Sequence, residues 1–101
     1  GYNINYPMPH GSSEEHFFDT LDQALTDIKL YDPDVLVLCL GFDIYKNDPQ
    51  AKVSVTSEGF GRLGKHISEL YLPTLVVQEG GYDLESLNEN VQQFFRGIGG
   101  V

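Results

Sequence analysis

The stretch VLVLCLGFD, residues 35–43, decides how this chain folds. From Val35 to Leu40 the aliphatic side chains, with Cys39 among them, follow one another without polar alternation. That pattern belongs to a strand covered on both faces, as in a parallel sheet. The run then passes straight into Gly41-Phe42-Asp43, with a second carboxylate, Asp48, in the same loop. An acid at such a point either caps nearby backbone, as Asp does in Asx turns, or is held there as a ligand.

Working outward from this strand, helix and strand signals alternate. Upstream, Asn3-Ile4-Asn5-Tyr6 is a short extended segment ended by Pro7 and Pro9. Ser12 and Glu15 have the spacing of a capping box, in which each side chain satisfies an orphan amide at a helix start. Phe17, Phe18, Leu21, Ala24, Leu25 and Ile28 recur at helical spacing and predict one apolar face from about residue 13 to 30. Tyr31-Asp32-Pro33-Asp34 breaks it. Downstream, Thr56 is the expected N-cap of a second helix faced by Phe60, Leu63, Ile67 and Leu70. Gly59, Gly61 and Gly64 each cost that helix about 1 kcal/mol against alanine, which predicts close packing on the sheet. Residues 73–78 read as a second apolar strand, and Gly80-Gly81-Tyr82-Asp83 turns the chain into a last helix faced by Leu87, Val91, Phe94, Phe95 and Ile98. Its start has two signals, Asp83 as N-cap and the spacing Ser86 to Glu89. Gly99-Gly100 stops it.

The order strand, helix, strand, helix, strand, helix predicts the α/β class: a three-layer parallel sheet of about three strands with flanking helices, in one domain over residues 1–101. With three strands in simple order both crossover helices fall on one face, so the other is thinly covered. The chain is therefore expected either to self-associate or to be part of something larger.

Composition excludes several classes. At 101 residues and 41% hydrophobic the chain supports one globular core. Its 15 acidic and 6 basic side chains leave a net charge of −9, which repels a phosphate backbone and argues against nucleic acid as a partner. The apolar run stops at Phe42, far short of the roughly 20 residues that span a bilayer, and the first residues carry no leader pattern, so a soluble cytoplasmic protein is expected. The single cysteine, Cys39, has no internal disulfide partner and is expected to pack as a small hydrophobe.

In open α/β sheets ligands bind beyond the carboxyl ends of the strands, where loops converge. The loops carrying His10, Asp43, and Glu79 with Tyr82 meet at that edge. Gly80-Gly81 permits a close backbone approach, and the Tyr82 hydroxyl would then face the crevice as a donor to a developing oxyanion; the plainer reading is a tight turn with a surface tyrosine. Asp48-Pro49 reads as a turn that fixes its loop. His10, between Pro9 and Gly11, reads as an exposed loop residue within reach of the edge, and His16 and His66 as helix-surface residues.

Taken together, N-x-P-x-P-H-G-S-S at 5–13, G-F-D-x-x-x-x-D-P at 41–49, T-x-x-G-F at 56–60 and Q-E-G-G-Y at 78–82 resemble the C-terminal third of the arginase-like deacetylase superfamily, nearest its bacterial acetylpolyamine amidohydrolases, with histone deacetylases as relatives. The resemblance implies that Asp43 is one of three protein ligands of a catalytic zinc and that Tyr82 hydrogen-bonds the substrate carbonyl. Glu79, Gly80, Gly81 and His10 are expected either to bind substrate or to support the loops of the site. Zinc with an open position acidifies its water and polarises an amide carbonyl. The implied substrate is a small cationic acetylated amine, an acetylpolyamine or an acetyl-lysine-like amide. The superfamily's Asp-x-His pair and tandem His-His do not occur in these residues, so the chain alone is expected neither to hold zinc stably nor to turn over. Iron can occupy similar sites. Association with a missing N-terminal portion would complete the enzyme. The alternatives are a stand-alone binding module that self-associates through its exposed sheet face, and a new metal site built from His10 and Asp43 of two subunits.

Overall fold

The long first helix is capped by the second of two adjacent serines, one residue later than the spacing predicts. In the computed structural model, which describes residues 3–99, Ser13 is the N-cap of α1 (Glu14–Tyr31) and its side chain accepts from the His16 amide. Ser12 instead donates its hydroxyl to the Pro9 carbonyl at 2.6 Å. Glu14 and Glu15 in the first turn and Lys29 in the last complement the helix dipole. The predicted face of α1 lies inward, with Phe18 and Leu25 buried. Asp32 closes the helix in the left-handed conformation at φ 58, its amide donating to the Ile28 carbonyl, so the predicted break falls where expected.

The described elements follow in the order β1 (Ser12–Ser13), α1, β2 (Leu36–Gly41), a 3-10 helix (Phe42–Ile44), β3 (Val53–Ser54), α2 (Ser57–Ser68), β4 (Thr74–Glu79) and α3 (Leu84–Gly99). The class is α/β and both strand pairs are parallel. The sheet differs from the expected one of three strands. Asn3 to Pro9 form no strand, and two separate two-stranded sheets appear, β1 with β3 and β2 with β4. Proline at positions 7 and 9 removes two backbone donors from that segment, which suits it poorly to a ladder. Tyr6 instead ties it to α1 by donating its hydroxyl to Asp27. That hydrogen bond, then burial and the nearby negative charge, raise the phenol above its usual pKa.

β2 and β4 align from Leu36 opposite Thr74 to Gly41 opposite Glu79. Leu36, Leu38, Leu40 and Val76 pack on the core, while Val35, Val37, Cys39, Leu75 and Val77 form an apolar face exposed to solvent. A thinly covered face is present as expected, although the three-strand order from which it was expected is not. Cys39, expected to be packed, stands on it, because its parity along β2 places it opposite the core side.

Phe18, Phe60, Phe94 and Val55 are fully buried at the centre of the core. Phe42 stacks against Phe60 at 5.1 Å between ring centroids and meets Phe94 edge-on at 6.3 Å, joining the end of β2 to α2 and α3. Thr56 caps α2 as predicted, its hydroxyl oxygen accepting from the Gly59 amide at 3.0 Å. Of the three α2 glycines, Gly59 lies against Val55 and Glu14, and the other two do not pack on the sheet. Gly61 and Gly64 face α3, where a Cβ on Gly64 would lie 2.3 Å from the Phe94 carbonyl oxygen and one on Gly97 2.0 Å from that of Gly61. Phe95, assigned to the inner face of α3, is 51% exposed. Asp83 directly precedes α3, and its carbonyl accepts from the amides of Ser86 and Leu87, so the earlier of the two predicted starts is the one used. Gly100 lies outside the described residues.

Candidate functional site at the carboxyl edge of the sheet

Parallel pairing of β2 with β4 brings their carboxyl ends side by side, and the two following loops leave from neighbouring points. Asp43 sits in the 3-10 helix that begins as β2 ends. Gly80 and Gly81, at φ 61 and 127, make the turn after β4 in conformations that side chains other than glycine rarely adopt. Space matters there as much as torsion. A Cβ on Gly80 would lie 2.8 Å from Asp43 Oδ2, and one on Gly41 2.6 Å from Asp43 Oδ1. The carboxylate is thus flanked by two glycines that leave it room.

Among the described residues no hydrogen bond engages the Asp43 side chain, and the 3-10 helix is capped at Gly41 without a side chain. Backbone capping therefore does not account for Asp43. It lines an open hollow of about 560 Å3 together with Tyr82, Met8, Ile44, Gln50, Lys52 and Val53. Tyr82 is 53% exposed, and its hydroxyl makes no hydrogen bond to another described residue. The sheet edge thus brings together the acid and the phenol that the motifs singled out. The other motif residues fall elsewhere. His10 is exposed in a turn and does not line the hollow; Glu79 ends β4 opposite Gly41 and is exposed; Gly80 and Gly81 shape the turn. His16 is exposed, whereas His66 is partly buried, with Nδ1 3.6 Å from Asp22 and its ring 5.6 Å from that of Phe18.

Asp48 is 6% exposed and fixes its loop as its Asp-Pro sequence suggests, but by a longer reach. Oδ1 accepts from the Gln50 amide at 2.8 Å, and Oδ2 accepts from the amides of Tyr82 at 2.6 Å and Asp83 at 3.1 Å. Burial pushes its pKa up, but the three amides outweigh burial and hold it below the ordinary 3.8. Sequence reasoning also missed Met8, Gln50 and Lys52 as lining residues. No local pattern marks them, since they reach the hollow through the pairing of β1 with β3 and the Gly11 amide bond to the Lys52 carbonyl. Lys52 brings a cation to the hollow beside the one acid, Asp43, so the chain's overall acidity is not concentrated here.

A second groove lies at the other end of β2, about 460 Å3 between Tyr6, Asp27, Tyr31, Val35 and their neighbours, remote from the loops that converge after the strands. Among the described residues no three His, Cys, Asp or Glu side chains gather closely enough to hold a metal ion. A catalytic zinc takes about three protein ligands, so Asp43 alone does not fit it. No helix of the described residues is long and apolar enough to cross a membrane.

The chain belongs to the family of histone deacetylase domains, which it matches over residues 1–98. Among its relatives, the acetylpolyamine amidohydrolase of Burkholderia pseudomallei (strain 1710b) is 57% identical over 101 residues, all of this chain and 30% of that protein. Acetylpolyamine amidohydrolase 1 of Pseudomonas aeruginosa is 41% identical over 101 residues, all of this chain and 29% of its own. The fold superposes on the crystal structure of the acetylpolyamine aminohydrolase from Burkholderia pseudomallei with a TM-score of 0.96 and 58% identity, covering 98% of this chain and 29% of that one. The chain thus spans about 30% of the length of these relatives.

Proposed function

We propose that this chain is the part of a zinc-dependent amidohydrolase that supplies Asp43 as one metal ligand and Tyr82 as the hydrogen-bond donor to the scissile carbonyl. The observation that carries the reading is the shared hollow: Asp43, with no hydrogen bond of its own among the described residues, and Tyr82 line one cavity at the carboxyl edge of β2 and β4. Zinc, where a complete ligand set holds it, supplies Lewis acidity at the amide. Asp43 contributes one hard, anionic oxygen donor. Tyr82 donates its O–H to the carbonyl oxygen as negative charge grows there, an interaction stronger in the transition state than in the ground state. The substrates are small acetylated amines: acetylpolyamines, as the names of the relatives suggest, or acetyl-lysine-like amides. By itself the chain lacks the remaining ligands and does not turn over.

The test uses the full-length protein that carries this segment. Asp43→Ala should lose bound zinc and activity together. Tyr82→Phe should keep zinc and lower kcat by about 100-fold or more, in line with removal of one oxyanion donor. Undiminished kcat in Tyr82→Phe, or full zinc occupancy in Asp43→Ala, sinks the assignment.

A second reading rests on the bare face of Val35, Val37, Cys39, Leu75 and Val77. A separately produced chain would bury it by self-association, acting as a binding module. Sedimentation of the isolated chain decides the matter: a folded monomer in dilute solution removes this reading.

A further inference from the structure

Asp48 is the most completely engaged carboxylate near the hollow, yet it does not line it. Both of its oxygens are taken by backbone amides, Oδ1 by Gln50 and Oδ2 by Tyr82 and Asp83, which leaves it poorly placed to be a second metal ligand. Nor does it cap α3. The amides it holds belong to Tyr82 and Asp83, before the helix begins at Leu84. Its targets are the backbone on either side of the phenol's Cα.

That segment would otherwise be loose. Gly80 and Gly81 precede it in left-handed conformations, and glycines give the backbone the widest choice of torsions. The Tyr82 hydroxyl has no hydrogen-bond partner among the described residues, so the aim of the ring depends on where the backbone holds its Cα. Asp48 is itself fixed. Its amide donates to the Tyr45 carbonyl at 3.0 Å, its carbonyl accepts from Ala51 at 3.0 Å, and Tyr45 is buried against Ser86 of α3. The 3-10 helix carrying Asp43 leads directly into this anchored loop, with Val55 donating back to the Ile44 carbonyl at 3.0 Å.

We propose that Asp48 is a positioning residue, a buried carboxylate that clamps the backbone of Tyr82 to the loop bearing Asp43 and so fixes the phenol relative to the metal ligand. This rests on the reading of Tyr82 as the carbonyl donor. A misplacement of about 1 Å at a reacting centre can cost on the order of 100-fold, which sets the scale of the effect. Asparagine at this position keeps one acceptor oxygen where the clamp uses two, and it lacks the charge that strengthens those bonds.

The experiment compares Asp48→Asn, Tyr82→Phe and the double variant in the full-length, zinc-loaded protein. An acetylated polyamine is the substrate, bound zinc is measured separately, and amide hydrogen exchange is followed at Tyr82 and Asp83. Asp48→Asn should keep its zinc and its KM, lose about 10- to 100-fold in kcat, and exchange the Tyr82 and Asp83 amides faster. The double variant should be no slower than Tyr82→Phe, since a misaimed phenol matters only while its hydroxyl is present. Wild-type kcat in Asp48→Asn, or multiplicative losses in the double variant, overturns the positioning role while leaving the Tyr82 assignment intact. Undiminished kcat in Tyr82→Phe overturns that assignment and this inference with it. Should Asp48→Asn fail to fold, the wild-type protein decides: open-loop exchange rates at the Tyr82 and Asp83 amides refute the clamp, and protection outside regular secondary structure supports it.

Discussion

A methyl group added at Gly97 should destabilise this protein, although alanine is the better helix former. On a solvent-facing helical position the change from glycine gains about 1 kcal/mol. At Gly97 the new Cβ would lie 2.0 Å from the Gly61 carbonyl oxygen, 2.9 Å from its carbonyl carbon and 3.1 Å from its Cα. All three are backbone atoms of α2, so no rotamer relieves the overlap. Bringing the nearest contact to about 3.2 Å parts α2 from α3 by more than 1 Å, against ordinary interaxial distances of about 8–10 Å. It also loosens Phe60 and Phe94, which are fully buried beside the crossing. Overpacking of this kind costs about 1–3 kcal/mol or more, and a rigid backbone obstacle belongs at the upper end. Set against the propensity gain, the expected net loss is about 1–2 kcal/mol. Gly64→Ala, with its Cβ 2.3 Å from the Phe94 carbonyl oxygen, should behave alike. Gly61→Ala is the internal control: its nearest neighbour is the Gln93 side-chain oxygen at 3.2 Å, which can move, so the change should be near neutral or stabilising. Urea unfolding of the three variants reads the order directly. Stabilisation by Gly97→Ala, or an equal loss in all three, would refute the close-crossing explanation for these glycines.

Other substitutions test other parts of the fold. Phe60→Ala removes a fully buried ring stacked on Phe42 and should cost about 3–5 kcal/mol, a large share of the 5–15 kcal/mol typical of a domain; a loss under 1 kcal/mol by urea unfolding would mean the core is centred elsewhere. Glu14 Oε1 accepts from both the amide and the hydroxyl of Thr56 at 2.8 Å, joining the starts of α1 and α2. Glu14→Ala should therefore lower the unfolding free energy by about 1–3 kcal/mol and Glu14→Gln by less, because glutamine keeps an acceptor; equal losses would contradict the bond. The pKa of Asp48 is depressed in the fold, so its clamp contributes fully above the unfolded carboxylate value and is lost as pH falls through the lower folded one. The amide resonances of Tyr82 and Gln50 should hold their positions from neutral pH down to about 4 and move together below it. Release near neutral pH would contradict the hydrogen bonding.

Sequence alone determined what depends on neighbours a few positions away. The three helices, the Thr56 cap, the break at Asp32 and the core-facing stripe of α1 are set by caps and periodicities that act within one or two turns. The motifs likewise placed Asp43 and Tyr82 at one sheet edge, because parallel strands with helical connections bring their carboxyl ends together. The misreadings share a cause. A run of aliphatics does not say which of its faces has a neighbour, so Val35, Val37 and Cys39 read as buried and stand exposed. Nor does a helix glycine say what approaches it, and it is α3, not the sheet, that comes close to α2. Tertiary structure decided the bonds between distant positions: Asp48 to Tyr82, Glu14 to Thr56, and Ser57 to the buried Asn90. Each joins side chains or amides whose separation along the chain carries no periodic signal. They meet only after the helices and the β2–β4 pair have packed, because the free energy that places them comes from burial of the core between them.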